Sequence, residues 1–183
     1  TLVRHHLEAT SKILFAEKSR IKKMETELKT IPRVGVARTL ARNLLRDAGV
    51  VETPVSLWKI IKHVQLKNNL AVVPYNFGEK VSGMLVMADE NATIGYNNEQ
   101  HWHRRRFTIG HELGHLLMGH VCNNDPSDHR EQEANEFAAE LLMPLALLKN
   151  DYRKTKVLKE LARQYTVSEE AMCRHLMNCR LIK

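Results

Sequence analysis

The sequence lacks any long apolar run. Across its 183 residues, no stretch approaches the roughly 18–20 consecutive apolar residues that a membrane-spanning helix requires. The residues from Thr1 to His6 also lack the uninterrupted apolar stretch of a signal peptide. We therefore expect no association with a membrane and a cytoplasmic location.

Cysteine and aromatic residues are scarce. The three cysteines, Cys122, Cys173 and Cys179, show no CxxC spacing, which argues against a cysteine-based metal or redox site. We expect free thiols, as is usual in a reducing compartment. Phe, Trp and Tyr make up only 5% of the chain, which argues against a stacking platform for single-stranded nucleic acid.

Charged residues, in contrast, are abundant. Lys and Arg number 28 against 21 Asp and Glu, which gives a formal net charge of +7. Such a balance permits binding to nucleic acid or to an acidic protein surface. The basic residues are spread along the chain, so a solvated basic surface is the simpler interpretation.

Periodicity predicts helices around a short β-region. Apolar residues spaced about three to four apart indicate a polar helix over residues 1–30, which Pro32 ends. Further helices are predicted at 36–48, 55–64, 101–118, 129–142 and from 154 onward. Runs of β-formers predict three short strands in an antiparallel meander, at 69–75, 81–88 and 92–97. The predicted fold class is α+β, with helices packed on a small, mostly antiparallel three-stranded sheet.

An HELGH motif that begins at His111 carries recognisable chemistry. On a helix, His111 and His115 leave the same face one turn apart, as two ligands of one tetrahedral zinc ion must. Glu112 points about 100° to the side, where its carboxylate can accept a proton from a water molecule without ligating the metal. Gly110 and Gly114 weaken this otherwise apolar helix, which predicts a close approach by another element.

Zinc needs a third protein ligand, and the next helix offers several glutamates. On a helical wheel, Glu131 lies on the buried face together with Asn135. The other glutamates lie on the opposite side, where we expect them to be solvated: Glu133, Glu136 and Glu140. We therefore predict Glu131 as the ligand, with Glu133 as the next candidate. Asn135 is placed to hydrogen-bond a ligand from behind.

Two blocks of sequence, RFTIGHELGH and EQEANEFAAELLMP, stand in this order within residues 35–180. Together they resemble the ImmA/IrrE family of metallopeptidases, and their order and separation make the resemblance specific. The resemblance implies a gluzincin-like site in which His111, His115 and Glu131 hold Zn²⁺. It also implies that Glu112 is the catalytic residue.

The resemblance further implies a function. Members of the family typically cleave a helix-turn-helix repressor, which relieves repression of stress, phage or mobile-element genes. We therefore expect a zinc-dependent endopeptidase whose partner is a DNA-binding repressor. An edge strand of the sheet would pair with an extended substrate, and we predict the third strand for this role, with Ile94, Gly95 and Tyr96.

The motifs and predicted helices also indicate how the chain is divided into domains. We predict a helical arm at 1–32, a zinc peptidase domain at 33–150 and a helix-turn-helix-like segment at 151–183. No helix-turn-helix domain is recognised ahead of the peptidase region, and no sensor domain after it. The target and the trigger are therefore expected on other molecules.

The C-terminal segment supports a competing hypothesis. Residues 158–176 read as helix, tight turn, helix, with Thr166 and Glu169 as a predicted capping box, which is the pattern of a DNA-binding motif. Glu169 and Glu170 would occupy the first turn of the recognition helix, where phosphates repel them, so we favour a structural role. The alternative is a transcriptional regulator or partner-binding module with a structural or vestigial metal site. Candidate donors to an oxyanion are Tyr96, Arg106, Tyr165 and His175.

Overall fold

The computed structural model describes residues 31–120 and 128–182. The helices in these ranges are α1 Val34–Asp47, α2 Leu57–Gln65, α3 Trp102–Met118, α4 His129–Leu142, α5 Leu145–Lys154, α6 Leu158–Tyr165 and α7 Glu169–Asn178. The strands are β1 Asn69–Tyr75, β2 Gly83–Ala88 and β3 Asn91–Asn97. The predicted α+β class is confirmed. The helix predicted over residues 1–30 lies outside the described residues.

The sheet is mixed, and its strand order is β1-β3-β2. β3 runs parallel to β1 and antiparallel to β2. The predicted meander is therefore wrong in its order, although the tight β2–β3 connection, with Asp89 at a φ of 54°, is a hairpin turn. The longer connection over residues 76–82 carries the chain past the position of β3. Alternating apolar residues favour a sheet without specifying which strand lies in the middle.

Helix α3 crosses between the sheet and α4, so its apolar residues are covered on both sides. Leu113 is fully buried, as are Ile94 of β3 and Phe137 of α4. α3 and α4 approach closely at Gly114, where a Cβ atom would lie 3.1 Å from Ala134 Cα. This contact is the close approach that a glycine within the helix permits.

Helix α4 is buried on both of its faces, because α1 covers the side that α3 does not. The glutamates predicted to be solvated are buried there, with exposed fractions of 0% for Glu133, 8% for Glu136 and 0% for Glu140. Each carboxylate pairs at 2.7–2.8 Å with an arginine of α1 or its N-cap, in the pairs Arg33–Glu133, Arg38–Glu136 and Arg42–Glu140. That prediction was wrong because the arginines replace water as hydrogen-bond donors to this face.

The C-terminal helices belong to the same compact unit, which spans residues 33–183. The turn between α6 and α7 places Thr166 in a left-handed conformation with a φ of 54°. Ser168, rather than Thr166, caps α7, since its side chain accepts a hydrogen bond from the backbone N–H of Ala171. The predicted capping box is therefore wrong, because Thr166 ends α6. No helix in the described part of the chain combines the length and apolarity needed to cross a membrane.

Candidate metal centre and groove

Helix α3 places two imidazole rings side by side. His111 and His115 are one turn apart, and their Nε2 atoms lie 3.0 Å from each other. The helix ends just beyond them, where Gly119 adopts a left-handed conformation with a φ of 67°. His115 is almost fully buried, whereas His111 remains partly open to solvent. The pair is therefore rigidly held but reachable from one side.

Helix α4 contributes the third member of the cluster from its first turn. Asp128 caps the helix by accepting a hydrogen bond from the backbone N–H of Arg130. Glu131 then directs its Oε2 to within 3.2 Å of His111 Nε2 and its Oε1 to within 3.2 Å of His115 Nε2. The structure thus brings together the three predicted ligands, whose donor atoms all lie within 4.8 Å of one another.

Hydrogen bonds on the side of each imidazole ring away from Glu131 determine which ring nitrogen carries the proton. His111 Nδ1 lies 3.0 Å from Asn135 Oδ1, an acceptor, so this nitrogen carries the proton. His115 Nδ1 lies 3.0 Å from His120 Nδ1, and His120 Nε2 lies 2.9 Å from Glu133 Oε2. Since the carboxylate of Glu133 can only accept a hydrogen bond, the Nε2 of His120 carries the proton. The Nδ1 of His120 is then free to accept a hydrogen bond from the Nδ1–H of His115.

His120 was not singled out by the sequence. Counted along a continuing helix, it faces away from His111, but the turn at Gly119 ends the helix and returns the chain. Burial lowers the pKa of His120, so its ring is neutral, as the hydrogen-bond chain requires. A histidine one residue after a predicted C-terminal glycine stop is the signal that could have found it.

The geometry of the cluster fits a tetrahedral zinc ion. When both rings are neutral, each Nδ1 holds the proton and each Nε2 turns a lone pair toward the carboxylate of Glu131. Three electron-rich groups, the two Nε2 atoms and the carboxylate, then face one another with no proton between them, an arrangement that a cation stabilises. Ligands held at about 2.0–2.1 Å from zinc in a tetrahedron lie about 3.3 Å apart. The observed separations of 3.0 Å and 3.2 Å are close to that value.

The two ring pKa values diverge within the cluster. Burial alone would lower the pKa of His111, but the hydrogen bond to Glu131 and the charges of Glu112 and Glu131 raise it above its usual value. Burial and the charge of His111 lower the pKa of His115 to about 4. A proton taken up by the cluster therefore resides on His111, and zinc would have to displace it.

Glu112 leaves α3 on the side that faces the sheet. Its exposed fraction is 8%, and burial raises its pKa above the usual range for a carboxyl group. The backbone N–H of Leu85 in β2 faces the carboxylate and opposes this rise in pKa. β2 passes so close that a Cβ atom on Gly83 would lie 2.3 Å from Thr108 Cγ2 and 3.4 Å from Glu112 Oε1. Glycine is therefore required at this position of the strand.

The cluster opens into a groove with a volume of about 940 Å³. One wall comes from α3 and from Ser82, which directly precedes β2, and the other comes from α4 and α7. Side chains that line it away from the cluster include His103, Arg104, Gln132, Glu170 and Arg174. The outer face of α7, which would be the recognition helix of a DNA-binding motif, thus borders the same groove as the metal centre.

The predicted oxyanion donors separate in the structure. The hydroxyl of Tyr165 donates to Asp151 Oδ2 at 2.9 Å, and the Nη2 of Arg106 donates to the carbonyl of Val55 at 2.9 Å. The Nε2 atom of His175 lies 2.9 Å from the carbonyl oxygen of Met143. Three of the four candidates are thus engaged by other groups. The fourth, Tyr96, lies in β3.

The strand that was predicted to be an edge strand lies in the middle of the sheet. Ile94, Gly95 and Tyr96 lie in β3, which has a hydrogen-bonded neighbour on each side and cannot accept a further strand. Among the described residues, no strand pairs with the outer side of β2. Because the backbone N–H of Asn97 donates to Ser82 O at 2.8 Å, alternation along the ladder turns the backbone groups of Gly83, Leu85 and Met87 outward. The free edge nearest Glu112 therefore belongs to β2.

Comparison with known proteins gives relatives for this fold and site. The sequence model of Peptidase M78, described as an IrrE N-terminal-like domain, matches residues 67–177. The "Uncharacterized immunity region protein 2" of Bacillus phage phi105 is 34% identical over 85 residues, which cover 42% of this chain and 53% of that protein.

A solved structure shares the fold. It is described as a Mycobacterium tuberculosis transcriptional regulator, and it matches with a TM-score of 0.64 at 14% identity over 78% of this chain and 46% of that one. The chain therefore spans about half the length of both relatives. The match over residues 67–177, which include the HELGH motif and α4, shows that the chain belongs to the family of IrrE N-terminal-like domains, the ImmA/IrrE family of peptidase-type proteins.

Proposed function

We propose that the chain is a zinc-dependent endopeptidase that cleaves a regulatory protein, such as a helix-turn-helix repressor, in the cytoplasm. The observation that carries the proposal is the convergence of three zinc-type donors, His111, His115 and Glu131, beside a buried carboxylate that ligates nothing. A purely structural metal site has no use for a base next to an open position. Membership of a peptidase-type family supports the same conclusion.

The residues of the chain supply specific steps. A zinc ion bound at the cluster would polarise the scissile carbonyl and lower the pKa of a water molecule from 15.7 to about 7. Glu112 takes the proton of the attacking water on its carboxylate and passes it to the amide nitrogen of the leaving segment. Its raised pKa makes it a better proton acceptor than an ordinary glutamate.

The free edge of β2 is suited to hold the substrate. Gly83 and Met87 turn backbone donors and acceptors outward beside Glu112, and the N–H of Leu85 between them faces the Glu112 carboxylate. An extended peptide could pair with this edge and present a backbone carbonyl to the metal centre. The substrate segment is therefore an exposed, extended or locally unfolded part of its protein, because a folded helix cannot pair in this way.

The nature of the target is inferred from the relatives. The phage relative is named for an immunity region, and family members typically cleave repressors of mobile-element or stress genes. A DNA-binding repressor is therefore the partner that we propose. Relief of repression would follow from its cleavage.

The test is to purify the protein, measure its metal content, and co-express it with the helix-turn-helix repressor encoded by a neighbouring gene. We expect about one zinc per chain and cleavage by the wild type. Glu112→Gln should keep the metal and lose about 10²–10⁴-fold in cleavage rate, the usual contribution of a general base. Bound zinc without cleavage of any neighbouring repressor would contradict the proposal.

The helix-turn-helix-like α6 and α7 favour one second candidate, a transcriptional regulator whose metal is structural or vestigial. The N-terminal turn of α7 carries Glu169 and Glu170. Glu170 pairs with Arg174 at 2.8 Å, so the guanidinium group of Arg174 is already engaged. Specific retention of operator DNA by the purified protein, together with absent cleavage, would favour this candidate. Cleavage without DNA retention would favour the peptidase.

A further inference from the structure

His120 lies directly behind the metal centre. The left-handed turn at Gly119 returns the chain, so that the backbone N–H of His120 donates to His115 O at 3.0 Å. The ring is 5% exposed. Its Nδ1 atom lies 3.0 Å from Nδ1 of His115, on the opposite side of that ring from the metal-facing Nε2.

The other nitrogen of the His120 ring, Nε2, also has a hydrogen-bond partner. Its Nε2 lies 2.9 Å from Oε2 of Glu133, which is fully buried. Glu133 in turn accepts hydrogen bonds from the backbone N of Arg33 at 2.8 Å and from its guanidinium at 3.1 Å and 2.8 Å. The carboxylate thus has donors on both of its oxygens, and it has no proton to give to His120.

We propose that His120 is a positioning residue for the metal centre: its Nδ1 accepts a hydrogen bond from the Nδ1–H of His115 and thereby keeps the Nε2 lone pair of His115 directed at the ligand cluster. Glu133 and Arg33 keep the accepting ring in place. The hydrogen bonds run in one direction, from His115 to His120 to Glu133. The inference rests on the proposed function only in taking His115 as a zinc ligand.

The physical reason is the choice between two tautomers. A neutral imidazole protonated at Nε2 cannot bind the metal through that atom, and an unsupported ring can also rotate away from it. A partner that accepts only from Nδ1 removes both alternatives before the metal arrives. Asn135 does the same for His111 from the other side of the cluster, with its Oδ1 at 3.0 Å from Nδ1.

A matched pair of variants tests the role. In His120→Asn the amide oxygen can replace Nδ1 as the acceptor for His115, whereas in His120→Gln the amide group replaces Nε2 and only the contact to Glu133 remains. Competition with a chromophoric zinc chelator measures the affinity of the whole chain for zinc. We expect His120→Gln to bind zinc about 10–100-fold more weakly, the usual effect of losing a hydrogen-bond partner behind a ligand, and His120→Asn to stay within about 3-fold of wild type.

His175→Gln is the control. His175 is also buried, with an exposed fraction of 1%, but it hydrogen-bonds to Met143 O and touches no member of the cluster. Its substitution should leave zinc affinity unchanged. Equal affinities of the Asn and Gln variants of His120 would overturn the proposal, because a space-filling role does not depend on which atom remains.

A second measurement needs no variant. Long-range ¹H–¹⁵N spectra of the zinc-loaded wild type should show a proton on Nδ1 of His115 and on Nε2 of His120, and the opposite assignment would overturn the proposal even if the variants fail to fold. Neither readout depends on proteolysis. If no repressor is cleaved while zinc affinity follows the expected order, the proposed function fails and the positioning role stands.

Discussion

Glu131 bridges the two histidines with both of its carboxylate oxygens, each 3.2 Å from one Nε2 atom. Its side chain remains 33% exposed, so it can move toward a metal more easily than the buried rings can. The hydrogen bond with His111 lowers the pKa of Glu131, and the carboxylate is ionised at neutral pH. It would therefore supply the negative charge that compensates a bound zinc ion.

Glu131→Gln should weaken zinc binding by more than about 100-fold, beyond the loss expected for a partner behind a ligand. The amide keeps the size of the side chain but removes the charge. Glu170→Gln removes the same charge from the same groove at a position 81% exposed, and it should bind zinc as the wild type does. Chelator competition at pH 7 compares the two. Similar losses in both variants would show that general electrostatics, rather than ligation, controls affinity.

The sequence alone predicted that four residues of the candidate site lie close together: His111, Glu112, His115 and Glu131. The i, i+4 spacing of His111 and His115, the sideways position of Glu112 and the inward direction of Glu131 all follow from helical geometry. His120 could not be placed in this way. Its position depends on where the helix ends and on the left-handed turn that follows, which a wheel does not represent.

Helix α4 depends on neighbours at both of its faces. On one side Gly114 of α3 lets the backbones meet, with Ala134 Cα and Phe137 Cδ1 each 3.1 Å from a Cβ built at the glycine. On the other side the arginines of α1 pair with its buried glutamates. Because α3 and α4 carry the three proposed ligands between them, the distance between these helices sets the separation of the donor atoms.

Gly114→Ala should lower the stability of the fold and the affinity for zinc together. The added methyl group meets backbone atoms that cannot yield, which costs about 1–3 kcal/mol and exceeds the gain of about 1 kcal/mol in helix propensity. Glu131, one turn before Ala134, would move away from the histidines. Urea unfolding of the zinc-free protein and a zinc titration measure the two effects.

Gly35→Ala is the matched control for this prediction. Gly35 also lies within a helix, α1, but a Cβ atom there meets nothing within 4 Å. The same substitution should therefore stabilise the protein by about 0.5–1 kcal/mol and leave zinc affinity unchanged. If Gly114→Ala were equally stabilising, the close approach of α3 and α4 would have no energetic role.

At the scale of whole elements, the positions of the helices and strands in the sequence were largely predictable, whereas which elements pack or pair with one another was not. The wheel for α4 assumed one buried face, and Glu133, Glu136 and Glu140 fell on the other. Nothing in a wheel reveals that arginines nearly 100 residues earlier will cover that face. The position of β3 in the middle of the sheet was missed for the same reason, since pairing partners are set by tertiary contacts.

In the described part of the chain, the groove at the candidate metal centre is bounded by different elements on its two sides. α3 and Ser82, which directly precedes the edge strand β2, line one side, and α7 lines the other with side chains such as Glu170 and Arg174. A bound peptide would therefore be held in register by its backbone and selected by its side chains. If the proposed function holds, the C-terminal helices, which belong to the same compact unit, would contribute to substrate selection.

Met87→Pro should reduce cleavage of the repressor about 10-fold or more while leaving zinc affinity unchanged. The outward N–H of Met87 is lost, but proline is tolerated on the open side of an edge strand. Met87→Ala keeps the N–H and should cleave at nearly the wild-type rate. Initial rates measured by gel densitometry decide between them, and equal rates would show that the substrate does not pair with this edge.

The open edge of β2 has a consequence for handling the protein. Beside its outward backbone groups lie Met84, Val86 and Met87, which are 47%, 51% and 59% exposed. A strand with free hydrogen-bonding groups and apolar flanks can pair with an identical strand from another copy. At high concentration, two copies would then occlude each other's cleft. Specific activity should fall as the protein is concentrated and recover on dilution, so that dilution itself acts as an activator.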